Sequence, residues 1–216
     1  MKGGELKQTL REGGSVFGMM LTMARNPRWG SILAGGGIDY VVIDTEHSQR
    51  SRAEISDSIV WLKAAGITGD KQLLVTLSVT EDEMTGVGGE NFTGFYSSMK
   101  YFQTLDNENN KKFVAAFKAK YGPNAVIGDV TQAGYLGPWL WKAAVEKAKS
   151  FDVDKVVAAS PGLELKTAPE GYVKVDANHH LWSKSRIAVG QPDGTFKVVS
   201  ESPELIKPDP FPKGYQ

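Results

Sequence analysis

Short apolar runs and helically spaced apolar positions alternate along the first third of the chain. Polar Glu5 to Glu12 predicts a short helix, and Ser15 to Met23, with its Val-Phe-Gly-Met-Met-Leu core, predicts a strand. Asn26 offers a helix cap before Pro27 at the first helical position, and Gly35-Gly36-Gly37 ends that helix. Within Asp39 to Asp44, Tyr-Val-Val-Ile is a continuous apolar run rich in β-branched residues. That is the pattern of a strand covered on both faces, and it predicts a parallel sheet. Ser51-Arg-Ala-Glu54 reads as a capping box, followed by Ile55, Ile59 and Leu62 at helical spacing until Gly66. The order so far is β-α-β-α, and Leu73 to Val79 adds a third buried strand.

The pattern then becomes mixed. Glu81 to Asn91 is acidic and glycine-rich, a loop or a short helix, and periodicity does not decide whether Phe95 to Phe102 is strand or helix. Asn110 to Tyr121 predicts an amphipathic helix with Phe113, Val114, Phe117 and Tyr121 as its core face and Gly122 as its stop. A further helix is expected from Pro138 to Lys149. Trp139 and Trp141, two residues apart on it, point to different faces, which predicts one buried ring and one at a boundary. Asp152 caps a last helix to Ala159. Strands follow at Tyr172 to Val175, Arg186 to Val189 and Thr195 to Val199, with Pro192-Asp193-Gly194 turning the last pair into a hairpin. Pro203, Pro208, Pro210 and Pro212 forbid a helix and leave an extended C-terminal strap. The expected fold class is α/β: a mainly parallel sheet flanked by helices, then a β hairpin and the strap.

Composition narrows the function classes. Among 216 residues, 25 Lys and Arg balance 25 Asp and Glu, so no net basic field exists to attract nucleic acid or an anionic membrane. The absence of cysteine removes disulfides, thiolate catalysis and cysteine-ligated zinc. No run approaches the roughly 18 apolar residues of a spanning helix, so membrane insertion is not expected. Val16 to Ala24 fails as a signal-peptide core, because Glu5 and Glu12 interrupt the basic region and Gly13-Gly14 breaks the approach. The chain as written therefore reads as cytoplasmic. Charge marks no boundary: residues 1–66 hold 8 basic and 7 acidic side chains.

Asp44-Thr45-Glu46-His47 is the strongest local chemical signal. It sits at the carboxyl end of the second strand, where parallel α/β folds build sites and where carboxylates can tune a histidine as a general base. Spacing alone favours Asp44 capping the loop while His47 bonds the backbone. Ser78 and Thr80, at the end of the Leu73 strand, either face a cleft or cap the Glu81 to Glu83 turn. His179-His180 on an extended segment would point to opposite faces and could not chelate a metal together. No metal ligand set and no cofactor emerges from these patterns.

Two resemblances organise these signals. Leu10-Arg-Glu-Gly-Gly-Ser-Val-Phe-Gly18, Ile32 to His47 and Leu62-Lys-Ala-Ala-Gly66 resemble the start of the HpcH/HpaI aldolases. Those are (β/α)8 barrels that make or break carbon–carbon bonds in 2-keto acids with a divalent metal such as magnesium or manganese. The resemblance implies His47 as the catalytic histidine and Asp44 as its hydrogen-bonding partner. It also implies an arginine that the Leu73 strand lacks, and metal ligands on later strands that this chain does not contain.

From about Ala65 onward, Val75 to Glu83, Tyr101-Phe-Gln-Thr-Leu-Asp106, Asn110 to Gly122 and Leu140 to Ala148 resemble the C-terminal part of urea and short-chain amide binding proteins of ABC transporters, a periplasmic family. Ala168-Pro-Glu-Gly171, Asn178-His-His-Leu-Trp182, Arg186-Ile187 and Ser202 to Gln216 extend the likeness. Such proteins are two-lobed α/β clamps, which implies cleft-facing roles for Ser78 and Thr80 and a small polar solute as partner. The expectation is a chimera, with 1–66 aldolase-like and 67–216 binding-protein-like, joined near Lys63 to Thr68. Its leading function is weak or absent binding of urea or short-chain amides. A metal-dependent aldolase and an inactive engineered or fused scaffold are the alternatives.

Overall fold

A computed structural model describes residues 3–21, 26–43, 52–66, 73–77 and 79–211. The chain begins with α1 (Gly3–Arg11), β1 (Gly18–Leu21), α2 (Arg28–Gly35), β2 (Tyr40–Ile43), α3 (Arg52–Ala64) and β3 (Leu73–Leu77). It continues with α4 (Glu81–Val87), α5 (Gly89–Phe92), β4 (Tyr96–Met99), α6 (Glu108–Tyr121), α7 (Asp129–Ala148) and α8 (Val153–Ala159). The last strands are β5 (Glu164–Leu165), β6 (Val173–Val175), β7 (Leu181–Trp182), β8 (Arg186–Gly190) and β9 (Phe196–Glu201). Several starts follow the local chemistry of their caps. Asn26 Oδ1 accepts the Arg28 N–H at 3.0 Å, Asn107 Oδ1 accepts that of Asn110 at 2.9 Å, and Asp152 Oδ1 accepts that of Lys155 at 3.1 Å.

Six strands form one sheet in the order β1-β2-β3-β4-β8-β9. The first four are parallel, with Tyr40 opposite Leu73 and Val75 opposite Tyr96, and β8 and β9 add antiparallel. Thus residues on both sides of the segment expected as a junction share one continuous sheet, with β2 paired to β3. Val41 and Ile43 are fully buried on one face of β2, against Leu33 of α2 and Ile59 and Leu62 of α3. On the other face the Tyr40 ring lies across Gly18 of the neighbouring strand. A Cβ at Gly18 would stand 2.1 Å from that ring, so a side chain there would displace the Tyr40 ring. Phe92, Phe95, Phe102 and Phe196 carry the same core across to the hairpin.

A three-stranded sheet, β5-β6-β7, packs with α7 around Leu136, Ala168 and Val173 as a smaller second core. The pattern did not foretell β5 or β7, which are only two residues each. The β8–β9 hairpin and the strap follow the expectation. Ile206 of the strap bridges to Ser183, and Pro208 O accepts the Asn178 side-chain amide at 3.0 Å.

The segment from Glu81 carries two short helices, and the undecided Phe95 region is strand β4. Three expectations need correction. Helix α7 starts at Asp129, well before Pro138, which lies inside it. Proline removes one N–H and crowds the carbonyl of Gly134 four residues back, yet the first turn is held by tertiary bonds to Asp129, so the helix passes through. On α6 the aromatic face is only half-buried and Tyr121 is exposed, whereas the buried residue is polar Asn110, which accepts the Tyr101 hydroxyl at 2.8 Å. Trp139 and Trp141 are both exposed, at 45% and 56%: Trp139 continues the aromatic row Phe117, Phe113 and Tyr135 along the surface, and Trp141 packs beside exposed Phe151. His179 occupies a left-handed turn (φ 66°) between β6 and β7, with Nδ1 2.9 Å from Ser160 Oγ.

Candidate functional site

The carboxyl ends of β3 and β4 point to the same edge of the sheet, the place where open α/β sheets form sites. Thr80 follows β3 as the cap of α4 and is 2% exposed. Its N–H donates to Glu83 Oε2 at 2.8 Å, and its hydroxyl lies 3.1 Å from Asp82 Oδ1 and 3.2 Å from Glu83 Oε2. The same oxygen accepts the Asp129 N–H at 3.1 Å, so one hydroxyl caps both α4 and the start of α7. Gly128, at the cap of α7, stands against the Asp82 carboxylate so closely that a Cβ would lie 1.8 Å from Oδ1. Beside this junction, Glu81 is buried with neither carboxylate oxygen hydrogen-bonded. Burial pushes its carboxyl up to about 8, and the nearby amides of Gln103 and Thr104 offset only part of that.

Beyond β4 lies a partly buried charged cluster, in which Asp129, Glu170 and Arg186 are buried and Lys100, Lys184 and Glu201 reach the surface. Lys100 Nζ is 2.8 Å from Asp129 Oδ2 and 4.0 Å from Glu170 Oε2. Asp129 Oδ1 accepts the Tyr101 N–H at 3.0 Å. Arg186, the first residue of β8, donates to Glu201 Oε2 at 2.9 Å, to the Glu170 carbonyl at 3.0 Å and to the Lys100 carbonyl. Lys184 reaches the other Glu201 oxygen at 2.6 Å. The Glu201 carboxyl is accordingly held below its usual range, chiefly by Lys184. Glu170 moves the other way: burial raises it, against the pull of Lys100, the Ser183 hydroxyl and Arg186.

Two hollows flank the cluster. One, of ≈ 500 Å³, is lined by Met99, Lys100, Asp129, Ser183, Lys184 and Ser185. The other, of ≈ 380 Å³, is lined by Leu105, Asn107, Glu170, Tyr172, Arg186 and Glu201 among others. A larger apolar groove of ≈ 680 Å³ runs between α6 and α7, away from this edge. The charged cluster is the better candidate, because it places donors and acceptors where the run of parallel strands ends and antiparallel β8 begins.

Of the sequence-derived candidates, Thr80 lies at this edge, buried in its capping role. Asp44, His47 and Ser78 lie outside the described residues. Among the described residues no group of three or more His, Cys, Asp or Glu is arranged to hold a metal ion. Lys100, Asp129, Glu170, Arg186 and Glu201 were missed as a group. Glu170 and Arg186 did stand inside motifs of the binding-protein resemblance, and Asp129 follows Gly128 as an acid at a helix start, a signal masked by the search for a start at Pro138.

Comparison with known proteins agrees with this architecture. The chain is 35% identical over 126 residues to a protein named limonene hydroxylase from Geobacillus stearothermophilus, covering 56% of this chain and 23% of that one. An amino acid ABC transporter substrate-binding protein from Pseudomonas fluorescens superimposes with a TM-score of 0.73 at 19% identity, over 94% of this chain and 55% of its own. A solute binding protein from R. palustris, solved in complex with benzoate, gives a TM-score of 0.73 at 15% identity, over 94% of this chain and 62% of its own. The chain thus spans between 23% and 62% of these relatives' lengths, and the likeness to the solved structures establishes the fold. The profile of the periplasmic binding protein domain family matches residues 59–216, well over half of the sequence, and the chain belongs to that family.

Proposed function

We propose that the chain is a solute-binding protein of the urea and short-chain amide kind, with weak affinity, and that the solute sits against the charged cluster beyond β4. The observation that carries this reading is the cluster itself. It offers buried donors and acceptors of both signs next to hollows of ≈ 500 and ≈ 380 Å³, room for a small polar molecule. Family membership supports the role of ligand carrier for an ABC-type uptake system and a periplasmic site of action. The urea and amide choice rests on the sequence motifs from Ala168 to Gly171 and Asn178 to Trp182.

Calorimetric titration with acetamide, urea, and pyruvate plus magnesium tests it. The expected result is saturable acetamide or urea binding with a Kd of about 1 mM, unchanged in His47→Ala. Metal-dependent pyruvate binding that vanishes in His47→Ala would overturn the reading in favour of the aldolase.

A further inference from the structure

The two faces of the six-stranded sheet are covered unequally. Strand register places Leu21, Ile43, Thr76, Ser97 and Ala188 in one row across five strands, and all five are buried, at most 3% exposed. Helices α2 to α5 join that side of the sheet in one core through Leu33, Ile59, Leu62, Met84 and Phe92. At the adjacent positions Met20, Val42, Val75, Tyr96, Val189 and Lys197 form the row of the opposite face, and none of them is buried. Met20 is 54% exposed, and Ile187, two residues from Val189 on the same face, is 41% exposed. Parallel strands are apolar on both faces because both are ordinarily covered, so this row has the composition of an interior and the exposure of a surface.

Charge and area identify what fits. From Met20 to Val189 the row carries no acid or base, with Lys197 only at its rim, and the chain as a whole is neutral, so two copies meet here without like-charge contact. Six strands spaced about 4.8 Å apart, each about five residues long, outline roughly 500 Å² per copy. A pair of such faces hides ~1,000 Å², the size at which specific interfaces begin. We propose that a second copy of this chain packs on this face, the two sheets stacked about a two-fold axis, with Met20, Val42, Val75, Tyr96, Ile187 and Val189 of each copy filling the space between them. The same surface serves both copies, so the assembly closes as a dimer.

Sedimentation equilibrium on the full chain, from about 1 to about 100 µM, tests it. A reversible monomer–dimer equilibrium is expected. Met20→Lys combined with Ile187→Lys, both exposed in the single chain, is expected to weaken it at least tenfold, because each copy then brings cations to an interface with no acid to meet them. Trp141→Lys combined with Phe151→Lys, on the exposed aromatic patch at the end of α7, is expected to change nothing. Hydroxyl-radical footprinting of the unaltered chain gives an independent reading: Met20 and Ile187 should lose at least half of their reactivity as the dimer forms, while Trp141 keeps its own. A monomer at every concentration, a dimer indifferent to the Met20 and Ile187 changes, or one lost on the Trp141 and Phe151 changes overturns the proposal. Should the Met20 and Ile187 variant fail to fold, the footprint still decides.

Discussion

The interior beneath β1 to β3 is closed to water and the cluster beyond β4 is closed only in part, and the two are built on opposite principles. Under β2, Leu33, Val41, Ile43, Ile59 and Leu62 exclude water with hydrocarbon alone, and any residue of similar volume would nearly do. Beyond β4, Lys100, Asp129, Glu170 and Arg186 exclude it with charges and hydrogen bonds, and each depends on the identity of its partner. An apolar core tolerates substitution in proportion to volume lost, whereas a buried polar cluster fails when one member leaves the others unpaired.

Removing one member from each interior is the sharpest way to break this contrast. Arg186→Ala strips donors from Glu201 and from the carbonyls of Lys100 and Glu170. It is expected to cost about 3–5 kcal/mol in denaturant unfolding. Arg186→Met, which keeps bulk, should recover little of that. Leu62→Ala is expected to cost about 2–5 kcal/mol, and there Leu62→Met should recover most of it. Equal recovery by methionine at both positions would erase the distinction.

Proton linkage comes next in size. Glu81 titrates at about 8 in the folded chain against an ordinary 4.5, because burial disfavours its charge. Its folded pKa is raised, so the stability tied to its proton is complete below pH 4.5 and is lost as pH rises through about 8. Over that window the slope is up to ~1.4 kcal/mol per pH unit. Unfolding free energies of the unaltered chain and of Glu81→Gln should therefore diverge as pH climbs through the window, in favour of the glutamine variant. Parallel curves would show that the carboxyl is ionised throughout.

The smallest expected effect is at the seam between the two interiors. Thr80→Ala removes a cap shared by α4 and α7 and is expected to cost about 0.5–2 kcal/mol. Thr80→Ser, which retains the hydroxyl, should lose only a fraction of that. Thermal melts of the two variants measure the difference.

The apolar interior was legible in the sequence because its signal is local. Tyr-Val-Val-Ile announces β2, and Ile59 and Leu62 announce the buried side of α3, each within a few residues of its neighbours. The polar interior was not, since its members come from the residue after β4, α7, the loop before β6, and β8, and nothing in the spacing of residues 100, 129, 170 and 186 says that they meet. The same limit explains α6. Helical spacing marks Phe113 and Phe117 as one face, but what covers a face is a tertiary fact, and here Asn110 is the residue buried. Thr80 lies between the two cases. Its capping box with Glu83 could be read from four consecutive residues, while its second bond, to Asp129, joins elements 49 positions apart.

The order of strands also carries a consequence for synthesis. Strand β4 finds its outer neighbour only in β8, where Met99 pairs with Arg186, so a chain emerging amino end first completes the four parallel strands long before that neighbour exists. Until then the outer edge of β4 is an open row of backbone donors and acceptors, the kind of edge that recruits strands from other molecules. The C-terminal hairpin, besides ending the fold, is what closes that edge, so a truncation before Arg186 is expected to aggregate rather than to yield a smaller folded lobe.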